Sequence, residues 1–221
     1  MGVSKKAERI QAVIFDLDGV LVSTDEQHYQ SWKRLADEEG IHFDREINRE
    51  CLGLSRMDSL EVVLRNATRA YSESQKAELA ERKNRYFHEL VAQLSPNDLK
   101  PGAAQLLRDL KGRAVKLAVA SGSRNAPAIL SRLGLAQVFD VCISGSDIAR
   151  SKPDPEVFLR TAERLGVPSQ RCLVVEDAPA GVEAARRAGM QVVAVGPRPL
   201  PGVARTVRSL ADIAADELLS V

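Results

Sequence analysis

Several features that mark whole classes of protein are scarce in this chain of 221 residues. Aromatic residues make up 4% of it, and the formal net charge is +1. Few aromatic side chains and balanced charge argue against base stacking, nucleic-acid binding and attraction to an acidic membrane surface. The three cysteines, at positions 51, 142 and 172, are scattered and odd in number. That pattern is typical of reduced thiols rather than of a disulfide framework.

Long apolar runs are also missing from the sequence. No stretch approaches the roughly 20 apolar residues of a membrane-spanning helix. The opening residues MGVSKKAERI are basic without an apolar run behind them, and Lys6 stands where a myristoylation motif needs Ser or Thr. Neither of the common glycine-rich nucleotide-binding motifs is present. We therefore expect a cytoplasmic, monomeric protein with neither a membrane nor a nucleic-acid partner.

Short apolar runs alternate with amphipathic stretches along most of the chain. We predict buried parallel strands at residues 12–15, 115–120, 141–144, 172–176 and 192–195. We predict helices at about residues 102–111, 126–133, 155–165, 178–188 and 210–219. This alternation is typical of an α/β fold with a doubly wound, mostly parallel sheet.

The segment between residues 24 and 95 differs, because it has almost no strand signal. Apolar residues recur at helical spacing through it, most clearly over 73–94. The stretch SPNDLKPG, 95–102, is punctuated by two prolines and a glycine and predicts a return to the sheet. We therefore predict a core domain of residues 1–23 and 96–221, with a helical cap domain of residues 24–95 inserted after the first strand.

Acidic residues end the first predicted strand. Asp16 and Asp18 follow the run AVIF, and residues i and i+2 of a strand face the same side. Three further polar groups lie at or beyond other strand ends: Ser121 in ASGSRN, Lys152 in SKPDP, and the pair Glu176–Asp177 in VVEDA. The carboxyl ends of parallel strands share one edge of a sheet, where ligands of open α/β folds bind.

This set of side chains predicts phosphoryl transfer. Four carboxylates need a cation, and a hard oxygen-ligand ion, Mg²⁺, would neutralise them and bind a phosphate. Ser121 and nearby backbone N–H groups would hold phosphoryl oxygens, and Lys152 would act as a point charge. A carboxylate is a competent nucleophile toward phosphorus, so Asp16 or Asp18 could attack while the other moves protons.

The motifs FDLDG, a Ser after the second major strand, SKPDP and VEDA together resemble the haloacid dehalogenase-like phosphotransferases, whose core has a Rossmann-like fold. The resemblance covers nearly the whole chain. It implies that Asp16 is the nucleophile and Asp18 the general acid/base. It implies phosphate binding by Ser121 and Lys152 and metal binding by Asp16, Asp18, Glu176 and Asp177. The helical insertion is similar to the four-helix cap of that family.

A narrower set of stretches, among them GLSRMDSL, ERKNRYF, ASGSRNAP and SKPDPEVF, resembles the β-phosphoglucomutase family. Its reaction converts β-glucose 1-phosphate to glucose 6-phosphate through a bisphosphate and needs two phosphate sites. The proximal site would comprise Asp16, Ser121, Gly122, Lys152 and Mg²⁺. The distal site would comprise Arg56, Ser123, Arg124 and Asn125, since arginine suits phosphate oxygens. The resemblance also implies cleft or hinge positions for Thr24, His28, Trp32, Gly53, Leu54, Ser55 and Lys83.

Two other functions fit the same motifs. A sugar-phosphate phosphatase would share the chemistry and pass the phosphoryl group to water. A non-catalytic sugar-phosphate-binding protein would have no need of Asp16 as a nucleophile. The stretch ISGSDIA, 143–149, departs from the β-phosphoglucomutase pattern, so the resemblance leaves its role and any substrate contact open.

Overall fold

The computed structural model describes residues 9–51 and 54–221. They fall into two compact units, one of residues up to Ser23 with Ser95–Val221, the other Thr24–Leu94. The strands are β1 (Ala12–Phe15), β2 (Lys116–Ala120), β3 (Val141–Ile143), β4 (Cys172–Glu176), β5 (Gln191–Val195) and β6 (Arg205–Val207). The helices are α1 (Asp25–Glu38), α2 (Arg45–Glu50), α3 (Arg56–Leu64), α4 (Glu73–Val91), α5 (Ala103–Lys111), α6 (Ala126–Arg132), α7 (Glu156–Leu165), α8 (Pro179–Arg187) and α9 (Ala215–Leu219).

All six strands form one parallel sheet in the order β3-β2-β1-β4-β5-β6, which confirms the predicted fold class. Ile14 of β1 is in register with Ala118 on one side and Val174 on the other. These three side chains share a buried core with Phe158 of α7 and Val182 of α8. Central strands are covered on both faces, which explains why they are continuously apolar rather than alternating.

The C-terminal prediction was wrong in two respects. Residues 210–219 do not form one helix: a 3₁₀ turn, Leu210–Asp212, is followed by extended Ile213 and then by α9. The Ser209 side chain accepts a hydrogen bond from the Ala211 N–H, which closes the short turn locally. The edge strand β6 was not predicted, because it has three residues and buries Val207 alone.

The second unit is helical in its described residues. Its core includes Leu35 of α1, Leu60 of α3 and Phe43, which precedes α2. All three are nearly inaccessible to solvent. Ser72 begins α4 with a capping box, in which its side chain and that of Gln75 each accept a backbone N–H. The helix ends at Val91, three residues before the predicted end. Within residues 9–51 and 54–221 of both units, no helix combines the length and apolarity needed to cross a membrane.

Candidate active site

The ammonium group of Lys152 lies where three neighbouring strands end. It donates hydrogen bonds to Oδ1 of Asp16 at 2.5 Å and to Oε1 of Glu176 at 2.7 Å. A third bond, 3.2 Å long, goes to the carbonyl oxygen of Ala120. These acceptors stand at the ends of β1, β4 and β2, which are adjacent in the sheet. An ammonium has three N–H groups, so the parallel sheet supplies an acceptor for each.

Burial and like charge control the protonation of Asp16. Burial is the largest influence and raises its pKa, while the Lys152 ammonium lowers it. The nearby carboxylates of Glu176 and Asp18 raise it further, and the resulting pKa is about 8. For Lys152, burial opposes the charged form, but the carboxylates of Asp16 and Glu176 outweigh it and raise the pKa. One ammonium therefore does not neutralise all of these acids near neutral pH.

Glu176 has both carboxylate oxygens engaged by donors of the chain itself. Oε1 accepts from Lys152, and Oε2 accepts from the backbone N–H groups of Asp177 and Ala178 at 2.7 and 2.8 Å. The residue is 1% exposed. A Cβ at Gly181 would lie 1.6 Å from Oε1, so glycine in the first turn of α8 makes room for this carboxylate. These three hydrogen bonds leave one of the roughly four acceptor positions of the carboxylate, on Oε1, for a metal ion or another donor.

Asp177 lies against the loop that follows β1, which also carries Asp18. Gly19 in this loop has φ +85°, and a Cβ on it would lie 1.9 Å from Oδ2 of Asp177. Only glycine combines that backbone angle with so close an approach. Asp177 is exposed along one edge, but partial burial, followed by the charge of Glu176, raises its pKa to about 6. The charges of Lys100 and Lys152 oppose this rise.

The donor set suits a divalent cation. Asp16, Asp18, Glu176 and Asp177 are all carboxylates, and the elevated pKa values of Asp16 and Asp177 reflect crowding of negative charge with little solvent. Hard oxygen donors of this kind bind Mg²⁺. Among the residues that the structure describes, no three His, Cys, Asp or Glu side chains already converge as ligands. These acids therefore provide the charge for a cation, with side chains that would turn toward it on binding.

The predicted phosphate loop follows β2. The Ser121 N–H donates to the carbonyl of Ile143 at 2.9 Å, and its buried hydroxyl accepts from the Ser123 N–H at 3.1 Å. The Ser123 hydroxyl accepts in turn from the N–H of Asn125, at 3.2 Å, one residue before α6. These serine–backbone bonds shape the loop locally. Gly122 and Arg124 are exposed on it, whereas Asn125 is buried.

The stretch 143–149 lies against this loop. The Gly145 N–H donates to the carbonyl of Ser123 at 3.1 Å. A Cβ at Gly145 would lie 2.1 Å from the carbonyl oxygen of Gly122, closer than any real contact. Ser144 and Asp147 hold the stretch by two further hydrogen bonds, of 2.7 and 2.9 Å. The stretch that departs from the family pattern therefore packs against the phosphate loop at Gly122 and Ser123.

In the helical unit, Lys83 of α4 is almost wholly buried. Its ammonium lies 2.9 Å from Nδ1 of His28 and 4.8 Å from the ring centroids of Trp32 and Phe87. Burial, followed by the charge of Arg56, lowers the pKa of Lys83 to about 7. Burial, followed by Lys83, also lowers the pKa of His28. The structure thus brings these predicted cap residues together around an amine that loses its proton easily.

The other predicted cap residues lie near helix starts. Arg56, the first residue of α3, donates to Oδ1 of Asn84 at 2.9 Å and lies 3.6 Å from Oε2 of Glu81. Ser55 caps that helix by accepting from the Asp58 N–H at 3.2 Å. Leu54 is 46% exposed, and Thr24, immediately before α1, is buried. Gly53 lies outside the described residues.

Sequence reasoning missed several residues that shape these groups. Lys100 donates from Nζ to the carbonyl oxygen of Gly19 at 2.6 Å. Asn84 orients Arg56. Both residues lie in stretches quoted above, SPNDLKPG and ERKNRYF, but neither was assigned a role, since each acts on an atom distant in sequence. The glycines at 19 and 181 carried a signal in principle, because Gly19 directly follows Asp18 and Gly181 comes four residues after Asp177.

Comparisons with known proteins agree with the resemblance. A family model described as haloacid dehalogenase-like hydrolase matches residues 10–189. A Bacillus subtilis protein named β-phosphoglucomutase is 42% identical over 212 residues, 95% of this chain and 94% of that protein. A Thermotoga maritima protein named phosphorylated carbohydrates phosphatase is 34% identical over 185 residues, 82% of this chain and 83% of that protein.

Solved structures give the same relationship. The crystal structure of β-phosphoglucomutase from Clostridium difficile has a TM-score of 0.85 and 38% identity to this chain, with 94% of each chain covered. The predicted resemblance is confirmed. The chain is a homologue of β-phosphoglucomutase and belongs to the haloacid dehalogenase-like hydrolase family.

Proposed function

We propose that this protein is a β-phosphoglucomutase that interconverts β-D-glucose 1-phosphate and D-glucose 6-phosphate through β-glucose 1,6-bisphosphate. The observation that carries the phosphoryl-transfer chemistry is the contact of one ammonium, Lys152, with both Asp16 and Glu176 at the sheet edge. The 42% identity to the Bacillus subtilis enzyme supports the choice of a mutase and of its sugar.

Asp16 is the nucleophile in this proposal. The Lys152 ion pair uses Oδ1, and we assign the attack to Oδ2. A bond forms between Oδ2 and phosphorus while the bond from phosphorus to the sugar oxygen breaks, which leaves an aspartyl-phosphate. In the return step a sugar hydroxyl attacks this phosphorus and restores the carboxylate. The phosphorylated Asp16 gives its phosphoryl group to the 6-hydroxyl of β-glucose 1-phosphate, which forms the bisphosphate. Asp16 then takes the 1-phosphate of the bisphosphate, so glucose 6-phosphate leaves and the aspartyl-phosphate is restored.

Asp18 handles the proton of each step. Its carboxyl group gives a proton to the sugar oxygen that leaves and takes one from the hydroxyl that attacks. Lys152 places a fixed positive charge beside the oxygens of the transferred group, and Ser121 with the Gly122 N–H would hold those oxygens. Burial of Lys152, whose side chain is 14% exposed, strengthens its field by excluding water.

Mg²⁺ is the cofactor that this acid set fits. Asp16, Asp18, Asp177 and Glu176 are the residues that would hold it, and Oε1 of Glu176 accepts only one hydrogen bond at present. When bound, the ion would polarise the phosphoryl oxygens and neutralise charge in the transition state. Because cation and proton compete for the same oxygens, the ion would also keep Asp16 ionised near neutral pH.

The phosphate that does not react needs cations of its own. We assign Arg56 to it, with Ser123, Arg124 and Asn125 as further candidates. Asn84 already fixes the guanidinium of Arg56, which reduces the entropy lost on binding. His28 and Lys83 would bind sugar or phosphate oxygens, and Lys83 would regain its proton beside an anion. Thr24, Trp32, Leu54 and Ser55, with Gly53, are assigned to the sugar cleft or hinge.

A phosphatase with the same nucleophile is the second candidate. The Thermotoga maritima relative, named as a phosphatase of phosphorylated carbohydrates, favours it. The two functions differ in the acceptor, which is a sugar hydroxyl in the mutase and water in the phosphatase. The chemical residues of the core are common to both.

A product assay separates the two candidates. The protein is incubated with β-glucose 1-phosphate, Mg²⁺ and catalytic β-glucose 1,6-bisphosphate, and glucose 6-phosphate and free phosphate are measured together. From the wild-type protein we expect glucose 6-phosphate with little free phosphate. From Asp16→Asn we expect no glucose 6-phosphate. The exposed acid Asp212 in the same unit gives a matched control, Asp212→Asn, which should behave as wild type. Equal amounts of glucose and free phosphate would establish the phosphatase instead.

A further inference from the structure

A six-residue loop, 17–22, carries Asp18 away from the end of β1. It is closed by its own hydrogen bonds: the Gly19 N–H donates to Val22 at 2.7 Å, and the Leu21 N–H donates to Leu17 at 2.9 Å. At Gly19 the loop lies directly against the carboxylate of Asp177. A displacement of this loop would therefore change the position of Asp18 relative to the other acids.

Lys100 attaches to this loop twice, although 78 or more residues separate them in sequence. Its backbone N–H donates to the carbonyl of Leu21 at 2.9 Å, and its Nζ donates to the carbonyl of Gly19 at 2.6 Å. The first bond exists for any residue except proline. The second depends on a long side chain that ends in a cation, and it joins the loop next to Asp18.

The chemistry of its two partners favours this second bond. Lys100 lines a cavity of about 180 Å³ with mostly apolar residues, although Arg208 and Ser209 also line it. An ammonium donor makes a stronger hydrogen bond than a neutral one. The carbonyl of Gly19 is a fixed acceptor, since the left-handed backbone at Gly19 sets its direction.

We propose that Lys100 is a positioning residue, whose ammonium group fixes the loop carrying Asp18 by holding the carbonyl of Gly19. The inference rests on the proposed function, in which Asp18 moves the proton in each transfer. No contact with substrate is assigned to Lys100; its charge also lowers the pKa of Asp177, and the exchange measurement below reports on the loop separately from that effect. Its effect would be on the rate of the proton-dependent step, rather than on the affinity for the sugar phosphate.

The test replaces Lys100 by Met, which keeps the stem in the cavity and removes the donor. Hydrogen exchange of the Gly19, Leu21 and Val22 amides is followed without substrate, and kcat and KM are measured with it. We expect these amides to exchange about tenfold faster, because loss of a charge-assisted bond favours local opening. We expect kcat to fall about tenfold and KM for β-glucose 1-phosphate to stay within about twofold.

Lys111→Met is the matched control, since Lys111 also donates to a backbone carbonyl, that of Gln137, in the same unit. It should change neither the loop exchange nor kcat. If Lys100→Met is poorly folded, Lys100→Gln, too short to reach Gly19, gives the same test.

Unchanged loop exchange and kcat in the folded variants would overturn the proposal. So would exchange that rises equally in the loop and in β4, because that result means general destabilisation. The exchange measurement needs no substrate, so it tests whether Lys100 fixes the loop even if the wild-type protein proves to be a phosphatase.

Discussion

At the scale of single residues, buried charge decides what each side chain of the site can do. Lys152 is surrounded by two carboxylates and a carbonyl, whereas Lys83 is buried against aromatic rings and a histidine. The same residue type therefore has its pKa raised at one position and lowered to about 7 at the other. The two lysines should respond in opposite ways when their charge is removed.

For Lys152→Met we expect a loss of stability of about 3 kcal/mol at pH 8, since removing one member of a buried ion pair leaves the other charges uncompensated. Without the ammonium, the pKa of Asp16 in the folded chain would rise above its present value of about 8. Both proteins hold Asp16 protonated well below pH 8, so the loss should be nearly constant there and grow as pH rises above 8. Denaturant unfolding at several pH values measures it, with Lys116→Met, a surface lysine of β2, as control. A loss independent of pH would contradict this electrostatic explanation.

For Lys83→Met we expect a gain in stability of about 1–3 kcal/mol at pH 6, because an apolar side chain replaces a poorly compensated buried cation. The folded pKa of about 7 lies below that of an unfolded lysine, so the folded chain binds fewer protons between pH 7 and 10.5. Wild-type stability should rise with pH through that window, and the gain should shrink by pH 9. Thermal unfolding at pH 6 and pH 9 measures this. A gain equal at both values would refute it.

The sequence indicates which residues carry charge at the strand ends, but not which hydrogen-bond partner each side-chain atom has. Asp16, Lys152 and Glu176 follow predicted strands, and parallel pairing was enough to expect them at one edge. That Glu176 uses both oxygens on internal donors depends on the directions of two backbone N–H groups after β4. Lys100 joins a loop far away in sequence, a contact that no local pattern encodes. The roles of all these residues stay predictions until tested.

At the scale of elements, prediction succeeded where strands are buried on both faces. The strands β1 and β4 have the predicted bounds, and β2, β3 and β5 differ by one residue at one end. The errors lie at the edge of the sheet and in the C-terminal segment, where too few apolar residues are present to give a clear helical or strand periodicity. Arg205–Val207 pairs at the sheet edge with one buried side chain, and Ile213 interrupts an otherwise helical pattern with extended backbone.

The contact between the 143–149 stretch and the phosphate loop gives a prediction at this scale. A methyl group in Gly145→Ala would collide with the carbonyl of Gly122, so the loop bearing Ser121 must move. We expect kcat/KM to fall by about tenfold or more, as misplacement of binding groups commonly does. Gly112→Ala is the control, since its Cβ would make only an ordinary 3.5 Å contact at a negative φ. Equal steady-state kinetics for the two variants would refute the steric argument.

At the scale of the whole molecule, a net charge of +1 does not show where like charges are concentrated. The sheet-containing unit holds the crowded acids, Asp16, Asp18, Glu176 and Asp177. The helical unit holds Arg56 and the buried Lys83. Overall composition, balanced as it is, could not reveal an anionic site in one unit and a cationic cluster in the other.

Stabilisation by Mg²⁺ should follow from this crowding. At a hundred times its dissociation constant the ion should raise the unfolding free energy by about 2.7 kcal/mol. At a fixed concentration the effect should be larger at pH 8 than at pH 6, because protons compete for Asp16, with a pKa of about 8, and Asp177, about 6. Thermal unfolding with Mg²⁺ and with chelator measures it, and Asp177→Asn should lose most of it while Asp212→Asn keeps it. The same shift at both pH values would count against these carboxylates as the ligands.

The three acceptors around the Lys152 ammonium have a consequence for biosynthesis. Residues 16, 120 and 176 come from widely spaced parts of the chain, and all must be adjacent before that cation is satisfied. A ribosome synthesises them in order, so a nascent chain that has not yet released residue 176 lacks the last acceptor. The charged surroundings of Asp16 are therefore complete only after about four-fifths of the polypeptide has emerged, and a shorter nascent chain lacks them.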